Sequence, residues 1–157
     1  MILSPDGTLV EFDFPHLKRV LAPRSFFGGL HMSAVQTVLA VYGFVMMATI
    51  AIQILYTRGQ VGVAMMLGNR ENFPKLTGIA GRLDRAQANN VVAMALFAPA
   101  ILLLGEQANA TALFVAQIFL AARIFYVIFY ASDHGTVRMV FWCIGFLATG
   151  WLYFLAF

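Results

Sequence analysis

Residues 33–57 read SAVQTVLAVYGFVMMATIAIQILYT, a stretch in which no side chain carries a formal charge. A helix needs about 20 predominantly apolar residues to cross the roughly 30 Å hydrocarbon core of a bilayer, because each residue rises about 1.5 Å. This stretch is long enough and apolar enough to do so. It therefore predicts a transmembrane helix.

Three more stretches of the same kind follow along the chain. They cover residues 86–105, residues 107–132, which are interrupted only by Arg123, and residues 139–157. Together with the first stretch they account for nearly all of residues 33–157. We therefore expect an all-α membrane protein whose core is a bundle of four transmembrane helices.

The composition excludes most alternatives to a membrane protein. Of 157 residues, 61% are hydrophobic and 11% are charged, whereas a soluble domain has about 45–50% apolar and roughly 25% charged residues. Ten basic residues without a continuous basic stripe make nucleic acid a poor partner. One cysteine and three dispersed histidines predict no metal site.

Residues 1–32 form an N-terminal arm with a different character. Three acidic residues stand where a signal peptide would be basic, and no apolar segment follows them, so we do not interpret the arm as a signal peptide. Residues 8–14 alternate like a short strand. Residues 16–21 are expected to lie at the membrane surface. The arm is thus partly interfacial, and it offers a surface through which the chain could join a larger membrane complex.

Basic residues near the ends of the spans predict the orientation. Cytoplasmic loops carry an excess of Lys and Arg, and the two loops that would share one side of the membrane carry six of these residues against three on the other side. The six are Arg58, Arg70, Lys75, Arg82, Arg85 and Arg138, and the three are Lys18, Arg19 and Arg24. Both termini are therefore expected outside the cytoplasm.

Arg123 is the polar residue that a lipid environment tolerates least. It lies ten positions before Asp133, which places it about 15 Å into a helix, and a central arginine costs about 2.5–3.5 kcal/mol on insertion scales. Tyr126 and Tyr130 follow at i+3 and i+7 on the same face. We expect a polar pocket with partners from adjoining chains. The alternative is an arginine that snorkels to water beside an interfacial belt of tyrosines.

The second span begins with a further group of polar residues. Arg85 and Asn89 lie about 40° apart on one helical face, whereas Gln87 points roughly opposite and can meet the same ligand only between neighbouring subunits. Arg138 stands at the start of the fourth span. The simpler interpretation of these residues is a helix end among lipid headgroups.

Such a pocket would suit a small anion. Arginine side chains bind carboxylates through forked hydrogen bonds, and tyrosine and asparagine add further donors. A positive field also lowers the pKa of a bound thiol and so produces thiolate near neutral pH.

Two of these segments are similar to sequence patterns of a known family. Residues 85–92, RAQANNVV, are similar up to the last position to the second-helix pattern Arg-Ala-(His/Gln)-x-Asn-x-x-Glu of the MAPEG family, the membrane-associated proteins in eicosanoid and glutathione metabolism. Residues 122–130, ARIFYVIFY, are similar to its third-helix pattern Ala-Arg-x-x-(His/Tyr)-x-x-x-Tyr. Residues 68–70 and 76–78 are similar to a feature of bacterial members. Over residues 33–157 the chain therefore resembles a bacterial-type MAPEG protein.

The resemblance implies a left-handed four-helix bundle that assembles as a homotrimer in the bacterial inner membrane. It implies that glutathione binds between adjacent subunits at the cytoplasmic side. The residues that would line its pocket are Arg85, Gln87, Asn89, Arg123, Tyr126 and Tyr130. Arg138 would help to stabilise the thiolate, and the substrate would meet the sulfur at the end of the pocket that contains Arg123 and Arg138.

The chain departs from the family pattern at Val92. A glutamate at this position meets the positive α-amino group of glutathione in the family, and valine cannot accept that hydrogen bond. An ammonium group left unpaired in a buried pocket costs several kcal/mol. Asn90 is no simple substitute, because it lies about 140° from Arg85 around the helix.

Two functions remain open. The first is a glutathione-dependent transferase or peroxidase that acts on lipophilic substrates arriving from the bilayer. The second is a non-catalytic membrane subunit of a larger complex, which keeps the fold but has lost the glutathione-binding glutamate at Val92. A transporter is disfavoured because no span is interrupted in the manner of a substrate-binding half-helix.

Overall fold

The computed structural model of the protein describes residues 2–3, 9–10, 32–69 and 71–157. The chain divides into two compact units, Met1–His31 and Met32–Phe157. In the first unit, strand β1 (Ile2–Leu3) pairs antiparallel with strand β2 (Leu9–Val10). The strand predicted at residues 8–14 thus contains β2, whereas the interfacial segment predicted at residues 16–21 lies outside the described residues.

The second unit consists of four long helices. They are α1 (Ala34–Leu67), α2 (Gly78–Leu104), α3 (Ala110–Ala131) and α4 (Gly135–Leu155). A short 3-10 helix, Gly105–Gln107, follows α2. All four α-helices are long and apolar enough to cross a membrane. The prediction of an all-helical membrane domain with four transmembrane helices is therefore confirmed.

The boundaries of the first two helices differ from the prediction. The sequence placed a loop at residues 58–84, but α1 continues to Leu67 and α2 already begins at Gly78. Absence of charge marks only the part of a helix that lies in lipid, and charged residues continue a helix into water without breaking it. The interruption of α1 is at Gly62, whose φ of 74° is a conformation that glycine adopts readily.

Local side-chain contacts begin α1 and α3. Ser33 Oγ accepts a hydrogen bond from the Gln36 backbone N–H at 3.2 Å, and Gln36 Oε1 accepts one from the Ser33 N–H at 2.9 Å. This reciprocal capping box satisfies backbone donors that the first turn leaves free. At the start of α3, Asn109 Oδ1 accepts a hydrogen bond from the Ala112 N–H at 2.9 Å.

The apolar core occupies one half of the bundle. Phe97 and Phe119 stack with ring centroids 3.8 Å apart, and Tyr42 packs edge-on against Phe119 at 5.0 Å. All three are fully buried. We call this the apolar half; it contains the starts of α1 and α3 and the ends of α2 and α4. Its buried residues are Val35, Val38, Tyr42, Ala93, Phe97, Ala100, Ile101, Leu104, Ala112, Ala116, Phe119, Ala148 and Leu152.

A proline in α2 is accommodated within this half. Pro99 has no N–H to donate to the carbonyl four residues earlier. Next to that point, the Tyr153 hydroxyl of α4 donates a hydrogen bond of 2.9 Å to the Leu96 carbonyl oxygen. Leu96 follows Ala95, whose carbonyl Pro99 leaves without a helical donor, so this bond is an additional contact in the same turn of α2. The contact also joins α4 to α2.

Candidate functional site

The other half of the bundle, which we call the polar half, contains the end of α1, the start of α2, the end of α3 and the start of α4. Its central side chain is Arg123 of α3, which is only 3% exposed. Arg123 Nη1 donates a hydrogen bond of 3.0 Å to Asn89 Oδ1 of α2. The buried guanidinium therefore has a polar partner within its own chain, whereas the sequence led us to expect partners from adjoining chains.

Aromatic rings and a glycine complete the surroundings of Arg123. Its guanidinium carbon lies 5.5 Å from the ring centroid of Phe119 and 5.6 Å from that of Tyr126, both within the range of a cation–π contact. On α4, a Cβ atom at Gly145 would stand 3.1 Å from Arg123 Nε. The guanidinium fits between α3 and α4 because position 145 has no side chain.

An open cleft of about 330 Å³ lies beside this cluster. Residues of α2, α3 and α4 line it: Asn89, Tyr126, Tyr130, Gly135, Arg138, Met139 and Trp142. The guanidinium carbon of Arg138 lies 4.2 Å from the ring centroid of Tyr130, and the Tyr130 ring meets that of Tyr126 edge-on at 5.4 Å. The cleft thus combines one cation, two phenol groups and a carboxamide with an apolar wall.

The structure brings together only part of the residue set expected from the sequence. Asn89, Tyr126, Tyr130 and Arg138 line one cleft, and Arg123 lies behind Asn89 without lining the cleft itself. These positions fit the predicted roles in ligand binding, which remain predictions.

Arg85 and Gln87 do not line this cleft in the single chain. Arg85 is exposed, and its Nη1 lies 3.5 Å from the position that a Cβ atom at Gly81 would occupy. Gln87 Oε1 is buried and has no hydrogen-bond partner within the described residues. The position of Gln87 agrees with its helical angle, whereas Arg85 was expected on the face of Asn89 and lies exposed outside the cleft.

Val92 and Asn90 also lie away from the cleft. Val92 is 59% exposed on the outer surface of α2. Asn90 is fully buried: its carbonyl oxygen accepts a hydrogen bond of 3.2 Å from the Tyr42 hydroxyl, and its side-chain amide has no partner among the described residues. No carboxylate lines the cleft within the part of the chain that the structure describes.

Sequence reasoning missed one residue that supports the cleft. Arg82 Nε donates a hydrogen bond of 2.8 Å to the carbonyl oxygen of Ala131, and its Nη1 lies 3.8 Å from Asp133 Oδ2. These contacts tie α2 to the turn between α3 and α4, where Asp133 has a φ of 66°. Arg138 follows this turn directly. In the sequence analysis Arg82 was only one of the six basic residues that predict the orientation, because no spacing rule links it to residue 131.

Four long apolar helices around a buried arginine and a polar cleft define a multi-pass integral membrane protein. Residues 32–157 match the model of the MAPEG family, and the chain belongs to this family. No curated protein gave a significant match, and no solved structure did either. Membership in the family agrees with the resemblance carried by residues 85–92 and 122–130.

Proposed function

We propose that the protein is a glutathione-dependent membrane enzyme, a transferase or peroxidase that acts on lipophilic substrates. The observation that carries this proposal is the cleft in which Arg138 lies over the Tyr130 ring and to which Asn89 also contributes. Carboxylates of a tripeptide are matched by the guanidinium, hydroxyl and amide donors of this cleft. Met139 and Trp142 supply an apolar wall beside them.

Bound glutathione would supply a nucleophilic sulfur. Arg138 would lower the pKa of the thiol by stabilising its negative charge. The Tyr126 and Tyr130 hydroxyls would hold the peptide part in place. An electrophile dissolved in the bilayer could approach from the open side of the cleft, past Met139 and Trp142.

The proposal includes a homotrimer. A volume of about 330 Å³ is at the lower end of the roughly 300–1,000 Å³ of ligand pockets, and a tripeptide would need further contacts. Arg85 and Gln87, which do not line the cleft of their own chain, would provide such contacts if they faced a neighbouring copy. Native mass measurement in detergent should give three chains; a monomer would contradict this part of the proposal.

We also propose a bacterial inner membrane with both termini outside the cytoplasm. The six basic residues in the two loops that would share one side of the membrane, against three in the arm, support this orientation. Protease or thiol-reagent accessibility of tagged termini in spheroplasts would test it. Labelling of the termini only after the membrane has been opened would contradict it.

Thiolate formation is the direct test of the enzymatic proposal. Glutathione added to the purified protein should raise the ultraviolet absorbance of thiolate, and Arg138→Ala should abolish this rise and lower kcat roughly 100-fold, as the loss of one preorganised charge-stabilising group does. Lys75→Ala is the matched control, because Lys75 is an exposed cation outside the cleft. Equal absorbance in wild type and Arg138→Ala would contradict the assigned role.

A second function is favoured by a specific observation. Val92 stands where the family has its ammonium-binding glutamate, and no carboxylate lines the cleft within the described residues. A non-catalytic membrane subunit of a larger complex, joined through residues 1–32, would need neither that glutamate nor a carboxylate in the cleft. Absence of glutathione binding at millimolar concentration by calorimetry would favour this function. Val92→Glu should raise the affinity for glutathione if the enzymatic proposal is correct.

A further inference from the structure

The Asn89 carboxamide has a defined orientation at the wall of the cleft. Its Oδ1 atom is 3.0 Å from Arg123 Nη1. A guanidinium contains only donors and no acceptor, so the amide oxygen, not the amide nitrogen, must face Arg123. A carboxamide whose oxygen accepts this bond keeps both N–H donors for other contacts, together with one lone pair on the oxygen. The hydrogen bond thus removes the O/N ambiguity that an isolated asparagine side chain would have.

Arg123 is held firmly enough to impose this orientation. It is 3% exposed and lies against the rings of Phe119 and Tyr126. A Cβ at Gly145 would stand 3.1 Å from Nε, so a side chain there would require the guanidinium to shift by a few tenths of an ångström. Arg123 itself does not line the cleft.

Other side chains that line the cleft offer hydrogen-bond donors, as an outward NH₂ group of Asn89 does. Arg138 is a donor only, the Trp142 indole N–H is a donor only, and the hydroxyls of Tyr126 and Tyr130 can turn to donate or accept. No carboxylate lines the cleft among the described residues. The three nitrogen-bearing side chains of the cleft, Asn89, Arg138 and Trp142, therefore all present donors when Arg123 keeps the Asn89 oxygen turned away.

We infer that Arg123 is a positioning residue that turns the Asn89 NH₂ group toward the cleft and thereby makes the cleft selective for an anionic group over an ammonium group. This inference rests on the proposed function, in that the ligand group recognised is a carboxylate or thiolate. It assigns Arg123 a role through Asn89, whereas the sequence suggested direct contact with the ligand or the reacting sulfur.

The first test requires no ligand. The chain has five asparagines, so selective ¹⁵N-asparagine labelling gives a sparse side-chain NMR spectrum in detergent micelles, in which Asn89→Gln identifies the Asn89 signal. Arg123→Met should move this signal to the position of a free carboxamide, Arg123→Lys should partly restore it, and the signals of Asn69 and Asn72 should stay unchanged. Phe119→Leu is the control that alters packing around Arg123 but keeps its donors.

The second test separates action through Asn89 from direct contact with the ligand. The dissociation constant for glutathione should rise roughly 10- to 100-fold in Arg123→Met and in Asn89→Ala, the usual effect of losing a hydrogen bond to a charged group. If Arg123 acts through Asn89, the double variant should bind glutathione no more weakly than the single variant with the lower affinity. If Arg123 touches the ligand, the fold-losses of affinity in the two single variants should multiply in the double variant, and the inference would be wrong.

The third test addresses selectivity. Glutathione with an acetylated amino group should bind the wild type at least as tightly as glutathione, because no carboxylate among the described residues lines the cleft to pair with an ammonium group. Asn89→Asp should weaken both ligands at least tenfold while its carboxylate keeps the contact with Arg123. If the wild type binds acetylated glutathione more weakly than unmodified glutathione, the inferred selectivity is wrong.

The outcomes distinguish this inference from the function on which it rests. If the wild type binds no glutathione, the proposed function fails, and the NMR comparison alone decides the role of Arg123. If glutathione binds but the Asn89 signal is identical in the wild type and Arg123→Met, the proposed function stands and the positioning role is refuted.

Discussion

The two halves of the bundle are built from the same four helices but in opposite ways. The apolar half packs Tyr42, Phe97 and Phe119 into a fully buried aromatic cluster. In the polar half, Arg123 is buried between α2, α3 and α4, and an open cleft lies next to it. The buried amide of Asn90 and the Gln87 oxygen have no hydrogen-bond partners within the described residues.

This difference indicates that the apolar half mainly stabilises the bundle and the polar half mainly serves binding. Close-packed aromatic side chains stabilise a bundle through many dispersion contacts, which persist in lipid where no hydrophobic effect acts between helices. A buried cation costs free energy and is seldom present for stability alone. We therefore expect substitutions in the apolar half to lower stability most, and those in the polar half to alter binding most.

The largest effect on stability is expected for Phe97→Ala. Its ring stacks on Phe119 at 3.8 Å and is fully buried, so truncation should lower the free energy of unfolding by about 3–5 kcal/mol, the cost of emptying a core aromatic site. Unfolding in mixed detergent and dodecyl sulfate micelles measures this. Phe114→Ala is the control, because Phe114 is 63% exposed on α3. Equal losses in both variants would mean that the apolar half is not the stabilising half.

An intermediate effect is expected from a pair of glycines on α4. A Cβ atom added at Gly150 would meet no other atom within 4 Å, whereas a Cβ at Gly145 approaches Arg123 Nε to 3.1 Å. Gly150→Ala should stabilise the protein by up to about 1 kcal/mol through helix propensity. Gly145→Ala should lose that gain and a further 1–3 kcal/mol, roughly, through overpacking. Unfolding in the same mixed micelles measures the difference between the two variants.

The Gly145→Ala variant also sharpens the comparison between the halves. It should shift the NMR signal of the Asn89 carboxamide, because Arg123 must move to admit the new methyl group, and Gly150→Ala should leave this signal in place. If Gly145→Ala is as stable as Gly150→Ala and binds glutathione as the wild type does, the guanidinium is not confined as the structure indicates.

The smallest effects are expected from two tyrosine hydroxyl groups of the apolar half, each of which donates to a backbone carbonyl of α2. Tyr153→Phe removes the donor to the Leu96 carbonyl near Pro99, and Tyr42→Phe removes the donor to the Asn90 carbonyl. Hydrogen bonds between membrane helices average about 0.6 kcal/mol, so each variant should lose about that much stability. A loss above about 2 kcal/mol in Tyr42→Phe alone would show that Asn90 depends on this contact for more than one hydrogen bond.

Much of the fold was predictable because the membrane imposes its own length scale. Long apolar stretches located the four helices, and an arginine about 15 Å inside the third marked the polar half. The ends of α1 and α2 were misjudged for the same reason, since apolarity reports the lipid boundary and not the end of a helix. The continuation of α1 to Leu67 and the early start of α2 at Gly78 lie beyond that boundary.

The candidate site was predictable only as a set of residue types on separate helices. Periodicity gives the angle between Arg85 and Asn89 on one helix, but it does not give the rotation of that helix against its neighbours. The structure turns Asn89 toward Arg123 and leaves Arg85 exposed. Nothing in the spacing singled out Gly145, which leaves space for a side chain of another helix, or Arg82, whose hydrogen-bond partner is a backbone carbonyl.

By itself, the sequence determined that residues 33–157 contain four stretches apolar enough to cross a membrane and that the third of them contains a cation, because hydropathy and charge are properties of single residues. Tertiary structure alone decided which polar group answers that cation, which way the Asn89 amide faces and where a cleft opens. Those outcomes depend on how helices rotate and approach one another, and packing determines this where the pattern along a single helix does not.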